Sequence, residues 1–293
     1  MHKYLRAVGY SKLNKKEYKQ LIVDIVANAK QRFYTSIDND NIIAALSQEV
    51  APGIGLTVVG EYDESDNFDF EYCYPYIEPE EISTEEDVSV ERQAATESYA
   101  GVFEDVRMGI SIIFYLQNMI PYIKALRTDM LPMKGTTLSL SALSIDGIIL
   151  MPLKKTVKDV VTNIQSSRNR NKLVNAARNG DEEAIESLTM RDMDTYTTIA
   201  QKIKQDDVFT LVDTYFMPYG VECDQYAILG EIIELNEVTN CITGEELYRM
   251  KLMVNDIKIE LLVNKIDVYG EPAVGRRYKG TIWLQGKINF PTE

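Results

Sequence analysis

Five aromatic residues, Phe68, Phe70, Tyr72, Tyr74 and Tyr76, occupy every second position of one short run. Side chains alternate between the two faces of a strand, so this period predicts a strand with all five rings on one side. A helix would scatter the same rings around its axis. The run lies within Glu61 to Glu91, a stretch with thirteen carboxylates and no Lys or Arg. The whole chain carries −14, so this stretch supplies nearly all of its charge. Such a stripe could serve as a platform for a sugar ring, a base or a partner's side chain. A core face is the simpler reading, because any half-buried strand must alternate in this way.

The carboxylates admit a metal reading and a contact reading. Asp63, Asp66, Asp69 and Glu71 are the weak metal candidates, because oxygen-bearing side chains recur there at short spacing. An EF-hand loop would need Gly at its sixth position and Glu at its twelfth, where this chain has Phe68 and Tyr74. The polar, Pro-bounded segment 78–87 is expected to be a solvated loop that buries little of itself. Its Glu80, Glu81, Glu85 and Glu86 are the expected contact surface. Residues 153–180 carry the opposite charge, +6, through Lys154, Lys155, Lys158, Arg168, Arg170, Lys172 and Arg178 against Asp159. They could meet phosphate or nucleic acid, but the simpler role is to neutralise the acidic stretch within the chain or across a dimer.

At 293 residues and 45% hydrophobic, the chain can bury one large core or two to three smaller ones. Apolar residues at three- and four-residue spacing, with Asn14 as N-cap, predict a helix from Lys15 to Gln31. Strands follow at Gly55 to Tyr62 and Asn67 to Tyr76, then at Val106 to Leu116. Asp146-Gly147 predicts a hairpin between Thr136–Ser144 and Gly147–Leu153. Residues 154–217 read as helical, including a last helix from Asp207 to Phe216. From Tyr226 four or five short strands suggest a small barrel, an oligonucleotide-binding-type barrel being one such shape. The expected fold is therefore α+β. An N-terminal antiparallel sheet with a packed helix spans 1–153, a helical segment 154–219, and a barrel-like module 220–293.

What is missing constrains function further. The only histidine is His2, beside a terminus expected to be flexible, which argues against Ser-His-Asp, Cys-His and His-ligated metal sites. Gly55 to Gly60 has the spacing that opens a P-loop, but Glu61-Tyr62 stand where Lys and Ser or Thr are required. Cys73, Cys223 and Cys241 are far apart and odd in number, so reduced thiols in a cytoplasm are expected. No apolar run is long enough to cross a bilayer, and the first residues lack the apolar core of a signal peptide. In the C-terminal module, Arg249, Lys251 and Arg277 lie near Trp283, but that segment is acidic overall, which argues against nucleic acid. Trp283 could be an interface anchor or part of the core.

Four blocks carry a family likeness: MHKYLRAVGYSK (Met1 to Lys12), NKLVNAARNGDEEAIESLTMRDMDTY (Asn171 to Tyr196), FMPYGVECDQYAILGEI (Phe216 to Ile232) and GRRYKGTIWLQGKINF (Gly275 to Phe290). Together they resemble a clostridial Firmicutes family catalogued as domain of unknown function 3881. The resemblance implies a bacterial, cytosolic origin and brings no catalytic residues with it. The leading expectation is a non-catalytic cytoplasmic binding or scaffold protein with a protein partner or self-association, and without a membrane. An enzyme built on carboxylates, with or without a divalent metal, is the alternative. Nucleic-acid or phosphate binding through 153–180 or the C-terminal module comes third. No cofactor is identified.

Overall fold

The computed structural model describes residues 1–36, 42–92, 98–105, 107–108, 110–131, 135–153, 173, 176, 181, 183–184, 186–187, 190 and 212–291. Asn14 starts the first helix, α1 (Lys15–Asn28), through a full capping box. Its side chain accepts from Lys16 N and Glu17 N, while the Glu17 carboxylate accepts from Asn14 N. Four strands follow as an antiparallel meander: β1 (Gln31–Ser36), β2 (Ile42–Ala51), β3 (Ile54–Tyr62) and β4 (Phe68–Ile77). Tyr18 of α1 reaches the buried thiol of Cys73 on β4, so the helix covers this face of the sheet. Burial pushes that thiol up to about 12.

The aromatic run does not keep one face. Val59 pairs with Tyr72, but its neighbour Gly60 pairs with Phe70, leaving Glu71 as the extra residue of a β-bulge. A one-residue shift sends side chains to the opposite face. Tyr72, Tyr74 and Tyr76 therefore point away from α1, while Phe68 and Phe70 share the face of Cys73, with Phe70 39% exposed. Gly60 is needed there, because a Cβ would lie 2.1 Å from the Asp69 carbonyl oxygen.

The second sheet takes the remaining strands: β5 (Val88–Arg92), β6 (Tyr99–Asp105), β7 (Ile110–Leu116), β8 (Thr137–Ser144), β9 (Gly147–Leu150), β10 (Tyr215–Pro218), β11 (Gln225–Thr239), β12 (Glu246–Val254), β13 (Ile257–Asn264), β14 (Val268–Tyr269) and β15 (Arg277–Asn289). A short helix, α2 (Met119–Arg127), follows β7. The order is β10-β11-β12-β13-β8-β15-β7-β6-β5, with β13–β8 and β15–β7 parallel. The long β15 also pairs β11 and β9 through its first half. Tyr74 of the first sheet packs on Tyr115 of the second, with ring centroids 4.7 Å apart, so the tyrosine face becomes the inter-sheet core.

Three expectations need correction. The fold is mostly β rather than α+β, with 52% of the described residues in strands and 17% in helices. The C-terminal strands do not form a small separate barrel. They belong to one large mixed sheet in which β8, from the first half of the chain, lies between β13 and β15. A pattern of short strands does not reveal that an outside strand enters the middle. Asp146-Gly147 is no hairpin, because β8 and β9 both run antiparallel to β15 and pair with different parts of it. The break between them is bridged by side chains: Ser144 Oγ donates to Thr281 O, and Thr281 N donates to Asp146 Oδ1. The helical reading of 154–217 lies almost wholly outside the described residues. Where its end is described, Tyr215 and Phe216 are strand.

The N-terminus is not loose. His2 caps a 3-10 helix (Lys3–Val8) and packs on Trp283 with ring centroids 4.4 Å apart. Burial lowers the imidazole to about 4.

Glycine is also required where Phe114 of β7 fills the space above its neighbours. A Cβ on Gly101 would lie 2.1 Å from the ring's Cζ, and one on Gly286 would lie 2.5 Å from its Cδ2. Gly101→Ala should therefore destabilise by about 1–3 kcal/mol through overpacking. Calorimetry should show a lower Tm; an unchanged Tm would mean that the ring shifts freely.

Candidate functional site

Two glutamines, Gln285 buried and Gln117 half-buried, join the sheets. Gln285 on β15 is fully buried, and its Nε2 donates to Pro75 O on β4 at 2.8 Å. That fixes its Oε1 as the acceptor for Gln117 Nε2 at 2.7 Å. Gln117 Nε2 also lies 2.9 Å from Ile77 O and 3.1 Å from Ser141 Oγ. The Leu-Ser alternation of β8 supplies that hydroxyl, with Leu138 and Leu140 on one face and Ser139 and Ser141 on the other. Asn118, next in the chain, does not cap α2. It locks the end of β15 instead, donating through Nδ2 to Ile288 O at 2.8 Å and accepting from Ile288 N at 3.1 Å.

Beside this junction the two sheets part and leave a cleft of about 440 Å³. Its floor is the tyrosine face of the first sheet: Phe33, Ala45, Ser47, Thr57, Tyr74 and Tyr76. One wall is Gln117 and Asn118 with Ile120 and Pro121 of α2, and the other is β15 and the chain beyond it, from Lys287 to Phe290. Ser47 Oγ and Thr57 Oγ1 share a hydrogen bond of 2.8 Å on the floor, and Tyr74 OH donates to Gln117 O at 3.2 Å. Lys287 Nζ and Glu78 Oε1 stand 3.6 Å apart, both on the lining. Burial pushes the Tyr74 phenol up to about 12, and the Tyr76 phenol higher still. A mixed apolar and polar concavity of this size is suited to a small ligand.

The family model described as "Domain of unknown function, E. rectale Gene description (DUF3881)" matches residues 5–286. The chain belongs to this DUF3881 family. No curated protein and no solved structure matches it.

In this DUF3881 chain the residues singled out by sequence are dispersed. Asp63 organises a turn, accepting from Ser65 N and Asn67 N through Oδ1 and from Asn67 Nδ2 through Oδ2. These bonds, the Asn67 side chain first, hold its carboxyl below the usual range. Asp66 takes a left-handed φ of 59° in the same turn, while Asp69 and Glu71 are exposed on β4. Among the described residues, no three His, Cys, Asp or Glu side chains gather closely enough to hold a metal ion. Trp283 is 5% exposed, stacks on Tyr4 at 5.6 Å and donates through Nε1 to Asp224 Oδ2 at 2.6 Å. Lys154, Lys155, Arg168 and Arg170 lie outside the described residues.

The acidic loop has partners at the other end of the chain. Glu80 meets Arg249 at 2.9 Å, and its backbone N donates to Glu260 Oε2. Glu81 receives Lys251 at 2.7 Å and also Lys258. Ser83 and Thr84 are buried, so the loop is better anchored than its polarity suggests. Ser83 Oγ donates to Lys258 O and accepts from Leu140 N. Glu85 and Glu86 are exposed.

The sequence does not mark the cleft, since its residues come from six separate stretches and no local spacing links them. One signal was present: Gln117, Asn118 and Pro121 interrupt the otherwise apolar Ile110 to Leu126. Carboxamides set into a core run require partners, and here they line a site.

The lysines hold the Glu81 carboxyl down at about 2, against its ordinary 4.5. A carboxylate depressed on folding gives stability that is full above about 4.5 and is lost as pH falls toward about 2. Glu81 is largely exposed, so solvent screening limits the pair to about 0.2–1 kcal/mol. In urea titrations Glu81→Gln should flatten the fall in stability across that window. An identical acid limb in wild type and variant would show that the clasp does not form in solution.

Proposed function

We propose that the protein is a non-catalytic cytoplasmic binding protein whose small-molecule ligand occupies the cleft between the two sheets. One observation carries this reading: the cleft is lined chiefly by carboxamides, hydroxyls and phenols, and its one carboxylate, Glu78, faces Lys287 across 3.6 Å. Gln117 and Asn118 are neutral, Ser47 and Thr57 are bonded to each other, and burial drives the tyrosines further from ionisation. Such a lining is better suited to orient a molecule than to transform it, since its carboxylate and its ammonium face each other. Three free cysteines, two of them exposed, suit a reducing cytoplasm. Among the described residues no helix is long and apolar enough to cross a membrane. A small ligand is favoured over a protein partner because Glu80 and Glu81, half of the expected contact surface, already engage Arg249, Lys251 and Lys258.

The test incubates the full-length protein with a mixture of polar cytoplasmic metabolites and identifies what it retains by mass spectrometry. Wild type is compared with Ser47→Phe, which fills the floor, and with Phe33→Ala, which removes an exposed ring from the floor and leaves the core intact. The expected result is a retained compound of unchanged mass whose retention falls in both variants. Conversion of the compound, or retention indifferent to both substitutions, would contradict the proposal. So would a Tm raised by Mg²⁺, Mn²⁺ or Ca²⁺ and no longer raised in Asp63→Asn.

A further inference from the structure

We infer that the cleft takes an uncharged polyhydroxyl ligand, a saccharide of one or two rings; this deepens the proposed function and rests on the cleft being the binding site. The argument is a balance of donors and acceptors. Gln117 Nε2 is held by Gln285 Oε1, Ile77 O and Ser141 Oγ, which leaves Gln117 Oε1 as the end free to face the cleft. Asn289 repeats the arrangement: its Nδ2 lies 3.2 Å from Thr137 Oγ1 and 2.8 Å from Ser139 Oγ, with Oδ1 left over. Both ends of Asn118 bond the Ile288 backbone. The Ser47–Thr57 pair uses one of its two hydrogens internally, and the Tyr74 hydrogen goes to Gln117 O. What remains is acceptors, in the form of the Gln117 and Asn289 amide carbonyls and the Glu78 carboxylate, together with two donors, the Tyr76 hydroxyl, which is buried without a partner, and the Lys287 ammonium. A ligand matched to this lining both donates and accepts, and a sugar presents at nearly every carbon one hydroxyl that does both.

Charge and shape narrow the class. Glu78 and Lys287 face each other at 3.6 Å, so neither an anionic nor a cationic ligand would meet an unbalanced charge. A phosphate or carboxylate would find one lysine already paired, and an amine one carboxylate already paired. Phe33, 47% exposed on the lining, offers the flat apolar face on which the C–H side of a sugar ring packs. A volume of about 440 Å³ accommodates one or two such rings with their water.

The test titrates the full-length protein, labelled with ¹⁵N, with glucose, galactose, N-acetylglucosamine, maltose and cellobiose. Parallel titrations use glutamate, lysine and adenosine monophosphate. At least one neutral sugar should shift the Gln117 and Asn118 side-chain amide signals. Phe33→Ala should weaken it about two- to tenfold, the loss of one aromatic contact. If only charged probes shift those signals, the saccharide assignment is overturned while the cleft remains a binding site. If no probe shifts them, or if sugars bind equally well to Phe33→Ala, the assignment fails. Retained metabolites from the earlier experiment then decide whether the cleft reading falls with it.

Discussion

The two hydrogen bonds that Gln117 and Gln285 donate to the β4 backbone, to Ile77 O and Pro75 O, are the contacts on which the docking of the sheets depends. Both glutamines belong to the second sheet, Gln117 just past β7 and Gln285 on β15, and the bond from Gln117 to Gln285 Oε1 holds the two amides in one orientation. Each such bond adds only about 0.5–1.5 kcal/mol net, but losing one partner leaves a buried amide unsatisfied at about 1–3 kcal/mol. That asymmetry makes the junction specific. Sheets packed through apolar side chains alone can slide, whereas paired carboxamides accept one relative position. The same bonds occupy Gln117 Nε2, and Gln117 lines the cleft, so the element that docks the sheets also shapes the site.

Electrostatics are organised around the same docking. The acidic loop would repel itself if left in solvent, and Glu80 and Glu81 are fixed instead along β12 and β13. Arg249 is the centre of that clasp, reaching Glu80, Glu260 and the carbonyls of Pro52 and Glu78. Lys251 bridges Glu81 and Glu234. Because Glu78 also faces Lys287 on the cleft lining, the loop that neutralises the C-terminal strands passes the cleft on its way.

The sequence made local structure legible wherever one short signal decided it. Asn14 announced the start of α1, and the aromatic period announced β4. It failed where a single residue changed the phase: nothing before the pairing with Gly60 showed that Glu71 would bulge and turn Phe68 and Phe70 to the other face. It failed again where distant strands meet, since neither β8 nor the strands on either side of it carry a mark of their pairing. The cleft belongs to this second kind. Its residues become neighbours only after two sheets dock, and the clearest trace in the chain was a pair of carboxamides inside an apolar run. Among the described residues the basic partners of Glu80 and Glu81 are Arg249, Lys251 and Lys258, on strands that fold back over the loop, while the basic residues of 153–180, their expected counterpart, lie outside the described residues.

Side-chain amide hydrogen exchange followed by ¹⁵N NMR tests the junction most directly. If Gln285 and Gln117 hold the sheets together as described, the Gln285 carboxamide protons should exchange only through global unfolding, many orders of magnitude more slowly than those of the exposed Gln20 on α1. Gln285 protons that exchange as fast as those of Gln20 would show that the two sheets are not locked by this pair, and the account of the cleft built upon it would fall.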